Sequence, residues 1–361
     1  MKSVKHWINP AILSMQAYHV PSSAGLLKMD AMENPYPWPE ELRQKWLQEL
    51  NSVHVNRYPD ADATVLKERL RTVMTVPDHI SIMLGNGSDE LIQIIALALA
   101  RSDRTYLAPE PGFVMYRLIS QTVNAGYCGV QLNQDDFSLE RDAMLSAIDE
   151  LQPALIFIAY PNNPTGNLFD REIVLDVIKQ APGLVVIDEA YHAFAGASFM
   201  EYLDDFENLL IMRTLSKSGL AGLRLGYLLG KSAWLNELEK IRLPYNINSL
   251  SQKSAEFILS HFEVLGGQAT DICRNRKVLF RQLAEIDGIK VWPSAANFIL
   301  FRTLELDANR IFTELKTRGV LIKNLYGSHA LLQNCLRVTV GTEKENTVFI
   351  DTLRQVMQSY H

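Results

Sequence analysis

The chain has few cysteines and no dense run of basic residues, and these absences exclude several classes of function. The three cysteines, Cys128, Cys273 and Cys335, are far apart and form no C-x-x-C pair. This spacing excludes a cysteine-cluster metal site and favours a reducing compartment. The formal net charge is -6, and lysine and arginine are scattered. A nucleic-acid or anionic-membrane partner is therefore not expected.

Long apolar runs are also missing. No run could span a bilayer, and the first residues lack the apolar core of a signal peptide. We therefore expect a cytoplasmic protein. Its 361 residues exceed the usual size of one hydrophobic core, which suggests two domains.

Several catalytic motifs are absent as well. There is no P-loop, so Asp188-Glu189 is not interpreted as a Walker-B pair, and no G-x-S-x-G element that a serine hydrolase would need. Gly85-x-Gly87 lacks the third glycine of a dinucleotide fingerprint, which disfavours a dehydrogenase. The histidines show no metal-ligand spacing, and His192 is more typical of packing, so no metal is expected.

What is present is an alternation of short apolar runs with amphipathic stretches. The runs cover residues 80–84, 105–108, 154–159, 184–187 and 209–212. Continuous apolar strands separated by helices predict an α/β domain with a mostly parallel sheet buried on both faces. Polar residues and glycines follow each strand, where open α/β sheets bind ligands.

The pattern changes after about residue 250. Helical stretches at 251–261 and 270–286 lead to alternating strands at 297–301 and 335–340, which predict a smaller α+β domain. The proline-rich first 45 residues are expected to form an arm that docks on it. The predicted division is 1–45 for the arm with part of the small domain, 46–250 for the large domain and 251–361 for the small domain.

Lys217 is the most unusual residue in the chain. It lies after an apolar run and at the start of a glycine-rich segment, in which the next charged residue is Arg224. Burying an unpaired lysine is unfavourable, and a desolvated amine suits Schiff-base chemistry because the neutral form attacks carbonyls. The alternative is an ordinary surface lysine.

Other polar residues at strand ends allow two interpretations each. Ser88 and Asp89 at a helix start could hold a phosphate or simply cap the helix. Asp188 could hold a protonated heterocycle nitrogen, with a gain of about 4 kcal/mol at ~4 Å and an effective dielectric of ~20. It could equally be a structural or magnesium-binding aspartate. Asn163 lies in an Asn-Pro-Thr-Gly string that is a strong turn signal by itself.

Taken together, the ordered set Asn163, Asp188, Tyr191, Lys217 and Arg224 resembles the fold-type I pyridoxal-phosphate aminotransferases over nearly the whole chain. More narrowly, the chain is similar to the histidinol-phosphate aminotransferases. The strings that carry this resemblance lie at 30–36, 56–60, 160–166, 216–217, 222–227 and 335–341. The resemblance implies a large domain with a mostly parallel sheet and a smaller α+β domain.

The resemblance also implies a role for each matching residue. Lys217 would hold pyridoxal 5'-phosphate through a Schiff base and then act as the general acid and base. Asp188 would keep the pyridine nitrogen protonated, while Tyr191 and Asn163 would bond the ring 3-oxygen. Phe113 would stack on the ring. The residues implied to bind the cofactor's phosphate are Ser88, Asp89, Ser216, Arg224 and, from the partner of a homodimer, Tyr58.

For the substrates, the resemblance implies two cations. Arg337 would grip an anionic end and Lys323 would occupy a second anion position, with Asn163 and Tyr18 also at the substrate. The implied reaction exchanges an amino group between L-histidinol phosphate and 2-oxoglutarate. An aromatic amino-acid aminotransferase or a threonine-phosphate decarboxylase would need nearly the same cofactor residues. A non-catalytic pyridoxal-phosphate-binding regulatory module is the alternative from another class.

The chain departs from the family pattern at two places. Met32 stands where many relatives have asparagine, and Arg224 follows Lys217 by seven residues where many aminotransferases have eight. We expect a compensating bend at Gly219 that keeps Arg224 at the phosphate.

Overall fold

The structure is a computed structural model that describes residues 3–17 and 21–360. Its strands are β1 (Leu27–Lys28), β2 (Ser81–Gly85), β3 (Thr105–Glu110), β4 (Gly126–Gln131), β5 (Leu155–Ala159), β6 (Leu184–Asp188), β7 (Leu209–Thr214), β8 (Gly226–Gly230), β9 (Ile289–Val291), β10 (Phe298–Thr303), β11 (Val320–Leu321), β12 (Lys323–Asn324) and β13 (Cys335–Thr339). Its α-helices are α1 (Val4–Trp7), α2 (Pro10–Leu13), α3 (Glu40–Leu50), α4 (Thr64–Val73), α5 (Ser88–Leu99), α6 (Val114–Thr122), α7 (Arg141–Leu151), α8 (Arg171–Gln180), α9 (His192–Ala195), α10 (Ser232–Glu239), α11 (Ser249–Leu259), α12 (Phe262–Ala284), α13 (Ala308–Thr317) and α14 (Glu343–Gln358).

Seven strands form the main sheet in the order β2-β8-β7-β6-β5-β3-β4. Neighbouring strands from β7 to β4 run parallel, while β8 runs antiparallel to both β7 and β2. The predicted α/β fold with a mostly parallel sheet is therefore confirmed. All five predicted runs are strands, extended by one or two residues at some ends.

The central strands are buried on both faces because their apolar runs are continuous. Alternate residues of β5, β6 and β7 belong to two different cores. Ile156 and Val185 pack in the core on one face of the sheet. Leu155 and Leu184, their neighbours along the strands, pack in the core on the other. A strand that is buried on both faces reaches the surface only at its ends. The polar residues that follow such strands therefore lie at the edge of the sheet where α/β proteins bind ligands.

Two strands of the main sheet were missed by the sequence interpretation. The segment Gly226–Gly230 forms β8, although the sequence pattern predicted no strand there. The glycines are needed because a Cβ on Gly226 would lie 2.6 Å from the backbone nitrogen of Ser88. The edge strand β4 begins at a glycine and is only partly buried, so it lacks the continuous apolar signal of its neighbours.

The later part of the chain builds an antiparallel four-stranded sheet, ordered β12-β13-β10-β9. The helices α12, α13 and α14 pack around its core. The N-terminal segment joins this region through β1, which pairs in parallel with β11. The helix α12 begins at Phe262, eight residues before the predicted start, and runs through Gly266 and Gly267. No helix among residues 3–17 and 21–360 has the length and apolarity needed to cross a membrane.

Candidate active site

A cleft enclosing about 550 Å³ of empty space lies at the carboxyl ends of β5, β6 and β7. Parallel strands expose these ends at one edge of the sheet, which is why residues from separate sequence segments meet there. Nine residues predicted from the sequence line the cleft: Ser88, Asp89, Phe113, Asn163, Asp188, Tyr191, Ser216, Lys217 and Arg224. The cleft is also lined by Met32, Ala159, Pro161, Ala190 and Thr214.

Lys217 lies just beyond β7, in a single wide helical turn over Ser216–Leu220. Its Nζ donates a hydrogen bond to the Ala31 carbonyl at 3.3 Å. Burial and the nearby Arg337 guanidinium lower the pKa of the Lys217 amine to about 8. About one amine in ten is then neutral at pH 7, against about three in ten thousand for free lysine. The site therefore prepares this amine for attack on a carbonyl.

Arg224 reaches the same cleft despite its shortened spacing from Lys217. The expected bend is present, because Gly219 adopts φ 114°, a conformation that a side chain would strain. Arg224 itself has φ 54°. Its guanidinium lies 3.4 Å from Ser216 Oγ and 3.4 Å from Asp89 Oδ2. The bend expected at Gly219 is therefore present, and the binding of a phosphate by Arg224 stays a prediction.

The surroundings of Arg224 form a cradle for an anion. The helix α5 begins at Ser88, where backbone N–H groups point away from the helix and favour negative charge. Gly87 precedes it at φ 87°, and a Cβ there would lie 2.6 Å from Arg224 Nη2. The glycine therefore lets the guanidinium approach the helix start closely. The alternative of a plain side-chain cap does not apply, because the N-cap position is this glycine.

Asp188 ends β6 and is 4% exposed. Tyr116 Oη donates a hydrogen bond to Asp188 Oδ2 at 2.6 Å, and the Ala190 N–H donates to Oδ1 at 3.0 Å. Burial raises the pKa of the Asp188 carboxyl to about 6, although the bond from Tyr116 acts to lower it. A carboxylate in this position is a strong partner for a cation placed in the cleft.

Tyr116 is the functional contact that sequence reasoning missed. It lies on the buried side of α6, where it stacks on Phe157 with ring centroids 4.5 Å apart. A tyrosine on the apolar face of an amphipathic helix is typical of core packing. Nothing in the sequence connects its hydroxyl with Asp188, which lies 72 residues further on.

Tyr191, Asn163 and Arg337 form a connected row of polar groups. Asn163 Nδ2 donates to Tyr191 Oη at 3.2 Å, and its Oδ1 accepts a hydrogen bond from Arg337 Nη1. Arg337 Nη2 also donates to the Asp30 carbonyl at 3.1 Å. Its guanidinium lies 5.1 Å from the Phe298 ring centroid, a cation–π distance. Burial raises the pKa of the Tyr191 hydroxyl above its ordinary value, so this group is a neutral donor.

Met32 lines the cleft in a left-handed conformation, φ 53°, that is unusual for its side chain. The backbone holds it there: its N–H donates to Thr339 Oγ1 at 2.9 Å, and its carbonyl accepts from Asn297 Nδ2 at 2.9 Å. Asparagine tolerates this conformation better than methionine does. The carbonyls of Ala31 and Asp30 accept hydrogen bonds from Lys217 and Arg337. Residues 30–32, which we call the strap, therefore connect the main sheet with the four-stranded sheet beside the cleft.

Three of the predicted site residues that the structure describes, Tyr58, Lys323 and Arg337, are not among those that line the cleft, although Arg337 bonds the cleft residue Asn163. Tyr58 is 80% exposed and stacks on Tyr245 with ring centroids 4.4 Å apart. Lys323 lies directly opposite Arg337 in the register of β12 and β13. Tyr18 lies outside the described residues. Their expected roles remain predictions.

Behind the cleft, the neighbour of Asp188 forms a buried ion pair. Glu189 is 0% exposed, and its carboxylate bonds Arg213 Nε at 2.9 Å as well as the Ser198 hydroxyl and the Phe199 N–H. Burial and Arg213 lower the pKa of the adjacent His192 imidazole to about 3. This imidazole is therefore neutral and does not line the cleft.

The cleft thus combines three chemical elements. It offers a partly neutral lysine amine after β7, a buried carboxylate at the end of the neighbouring β6, and the Arg224 guanidinium beside the backbone N–H groups at the start of α5. An aldehyde, a protonated ring nitrogen and a phosphate ester on one molecule would satisfy all three.

Comparison with known proteins agrees with this geometry. The family model of aminotransferase class I and II matches residues 24–353. The chain is 56% identical to histidinol-phosphate aminotransferase 2 of Nitrosococcus oceani over 351 residues, 97% of each chain. It is 47% identical to histidinol-phosphate aminotransferase of Chromobacterium violaceum, covering 98% of each.

The fold is similar to the solved structure of histidinol-phosphate aminotransferase from Sinorhizobium meliloti in complex with pyridoxal-5'-phosphate. The TM-score is 0.87 at 23% identity, with 98% of each chain covered. The match of the family model over nearly the whole length, together with the two close relatives, establishes the family. This chain belongs to the class I and II aminotransferases.

Proposed function

We propose that this protein is a pyridoxal 5'-phosphate-dependent transaminase that moves an amino group between L-histidinol phosphate and 2-oxoglutarate. The products are imidazole-acetol phosphate and L-glutamate, and the reaction belongs to histidine biosynthesis. The names of relatives at 45–56% identity support the substrate. One observation supports the use of this cofactor most directly. Lys217 and Asp188 lie in the same cleft, and the pKa of each is shifted toward neutral pH.

The residues present fit this cofactor. Its aldehyde requires a neutral amine, which the lowered pKa of Lys217 provides. Its phosphate requires a cationic cradle with free N–H groups, as at Arg224 and the start of α5. Its ring nitrogen requires a buried carboxylate, and Asp188 is one. When bound, the cofactor acts as an electron sink for charge that develops at the substrate's α-carbon.

Each residue of the cleft then has a task. Lys217 Nζ would hold the cofactor, and its amine would serve as the base and acid that moves the proton of the substrate's α-carbon. Asp188 holds a proton on the ring nitrogen, and its bond from Tyr116 keeps the carboxyl ionised. Tyr191 and Asn163 orient the ring 3-oxygen, while Phe113 covers a ring face. Ser88, Asp89, Ser216 and Arg224 form the phosphate site.

Substrate recognition rests on the strap and the small sheet. Arg337 presents a planar guanidinium that suits bidentate binding of carboxylate or phosphate. Asn163 holds it in place, and Lys323 adds a second cation from the adjacent strand. Tyr18 is proposed to complete the substrate site.

We further propose that the protein acts as a cytoplasmic homodimer. Tyr58, Leu243 and Val55 are 80%, 72% and 77% exposed in the single chain, which is unusual for large apolar residues close to one another in two short segments. A second copy that covers them would bring Tyr58 to the partner's phosphate site.

The proposed division into 1–45, 46–250 and 251–361 agrees with the separation of the main sheet, within 81–230, from the four-stranded sheet, within 289–339.

The test of the proposed function compares donor amines. The purified protein should be yellow and lose its colour with borohydride, and it should convert histidinol phosphate and 2-oxoglutarate into glutamate. Phenylalanine and threonine phosphate serve as comparison donors, with carbon dioxide release monitored. No turnover of histidinol phosphate would contradict the substrate, and carbon dioxide release from threonine phosphate would show a decarboxylase instead.

A further inference from the structure

A second concavity shares no residue with the cleft around Lys217 and encloses about 930 Å³ of empty space. The helix α12 lines one side with Arg276, Lys277, Phe280 and Arg281. The loop 292–297, between β9 and β10, lines the other side through residues 293–294. We call this concavity the α12 pocket.

The lining of the α12 pocket combines an apolar base with a charged rim. Phe280, Pro293 and Ile299 supply the apolar surface. Lys277 and Arg281 are both exposed cations one helical turn apart. Like charges at this spacing repel each other. Such a rim becomes favourable when an anion lies between the two cations.

Neither rim cation has an acidic partner within 4.0 Å in the described part of the chain. Arg281 Nε donates only to the Lys277 carbonyl of its own helix, at 3.3 Å. By contrast, Arg274 on the same helix is paired with Asp271 at 2.9 Å. The positive charge at the pocket is therefore available to a ligand, while the charge outside it is neutralised.

Arg276 has a different role, because it fastens the pocket wall. Its Nη1 donates to the Ala296 carbonyl at 2.7 Å and to the Phe194 carbonyl at 3.4 Å. The bond to Ala296 ties the loop 292–297 to α12, and the bond to Phe194 ties α9 to the same helix. The pocket thus has one wall whose position depends on this loop.

The same loop contacts the catalytic cleft on its other side. The Ala295 N–H donates to the Gly166 carbonyl at 2.7 Å, in the turn that carries Asn163. Ser294 lies so close that a Cβ on Gly166 would be 2.5 Å from its Oγ. Phe298, at the end of the loop, packs edge-on against Tyr191 at 5.1 Å. A ligand that moves the loop would therefore move groups in the cleft.

We propose that the α12 pocket binds a small amphipathic anion, with an aromatic or aliphatic body and one sulfonate, phosphate or carboxylate group, and that its occupancy alters substrate binding through the loop 292–297. The body covers Phe280 and Pro293, and the anionic group lies between Lys277 and Arg281. This site is separate from the proposed cofactor and substrate sites.

The test uses 8-anilinonaphthalene-1-sulfonate, an anion of this class, titrated into the cofactor-loaded protein by fluorescence. The double variant Lys277→Glu/Arg281→Glu should bind the probe at least about tenfold more weakly. The control Lys316→Glu/Lys344→Glu makes the same change in net charge at exposed residues of α13 and α14 and should bind like the unmodified protein. Equal affinity in all three proteins would overturn the site. If the double variant does not fold, Lys277→Gln replaces it, with an expected loss of about threefold.

The coupling is tested separately. A saturating concentration of the probe should change the KM for the amine donor in the unmodified and control proteins but not in Lys277→Glu/Arg281→Glu. A KM that does not respond while the probe is bound would overturn the coupling. A change of equal size in the double variant would place the probe in the catalytic cleft and would overturn it as well.

Discussion

Tyr116 Oη lies 2.6 Å from Asp188 Oδ2 and is the only side-chain donor to this carboxylate in the described residues. The hydroxyl stabilises the ionised carboxylate and so opposes the effect of burial, which raises the pKa of Asp188 to about 6. Burial and this opposing contact together influence how much of Asp188 is charged near neutral pH, and therefore how well it would hold a cationic ring nitrogen.

The first prediction removes this hydroxyl. In Tyr116→Phe the pKa of Asp188 should rise above about 6, so less of the carboxylate is ionised at pH 7. We expect cofactor affinity to fall about tenfold, because a hydrogen bond to a charged group contributes about 1.5–3 kcal/mol. The loss should be largest near pH 6, measured by absorbance titration at several pH values. Tyr127→Phe, which removes a hydroxyl bonded to Glu110, is the control. The same pH dependence in both variants would contradict the prediction.

The second prediction concerns stability and the pKa of Lys217. The pKa is about 8 in the folded protein and 10.5 in the unfolded chain. Between these values the unfolded chain binds more protons, so stability rises with pH; below pH 8 the full penalty, on the order of 3 kcal/mol, is present. In the cofactor-free protein, Lys217→Met should therefore raise the free energy of unfolding at pH 7 by about 1–3 kcal/mol. The variant also loses the hydrogen bond from Lys217 Nζ to the Ala31 carbonyl, which reduces this gain in unfolding free energy.

Urea unfolding at pH 7, 8.5 and 10 measures this effect. The advantage of Lys217→Met should shrink as the pH rises from 8 toward 10.5. Lys344→Met removes an exposed lysine and should show no such trend. A constant difference between Lys217→Met and the unmodified protein across these pH values would show that the amine is not desolvated.

The third prediction concerns the ion pair of Arg213 and Glu189. Arg213→Met leaves a buried carboxylate without its cation and should cost about 3–5 kcal/mol of unfolding free energy. The double variant Arg213→Met/Glu189→Leu should recover part of this loss, because both charges are then absent. Urea unfolding of the four proteins in a double-mutant cycle measures the coupling. Strictly additive losses would mean that the pair does not act as a unit.

The fourth prediction tests whether Tyr58 acts across a dimer. Lys217→Ala and Tyr58→Ala chains should each be nearly inactive alone. After subunit exchange, a heterodimer has one site with both residues intact, so random mixing should restore about a quarter of the normal activity. Because Tyr58 is 80% exposed, its removal should not disturb the fold. Heterodimers that form but stay inactive would place Tyr58 in its own subunit's site or outside any site.

The fifth prediction separates the two proposed substrate cations. Arg337→Lys keeps the charge but loses the planar pair of donors, so the KM for histidinol phosphate should rise about 10- to 100-fold. Lys323→Met should raise it less, because Arg337 bonds the cleft residue Asn163 whereas Lys323 lies on the neighbouring strand β12. Steady-state kinetics at fixed 2-oxoglutarate gives both values. A larger effect of Lys323→Met would assign the phosphate to Lys323.

Much of the fold and of the site followed from the sequence. The strands β5, β6 and β7 were predictable because a sheet covered on both faces requires continuous apolar runs, and such runs are visible in any single sequence. Asp188 stood out because it directly follows such a run, and Asn163 and Lys217 because they come four and five residues after theirs. The bend at Gly219 was predictable because the spacing to Arg224 was one residue short.

The sequence by itself therefore determined which strands are central and which residues lie at their ends. Tertiary structure alone decided which of these residues touch, because contact depends on how distant segments pack. Arg337 and Asn163 are 174 residues apart and meet only where the small sheet faces the main one. The hydroxyl of Tyr116 gains its role only because α6 covers the end of β6. Burial, which sets the pKa of Lys217 and of Asp188, is likewise a property of the packed molecule and not of either residue's neighbours in the chain.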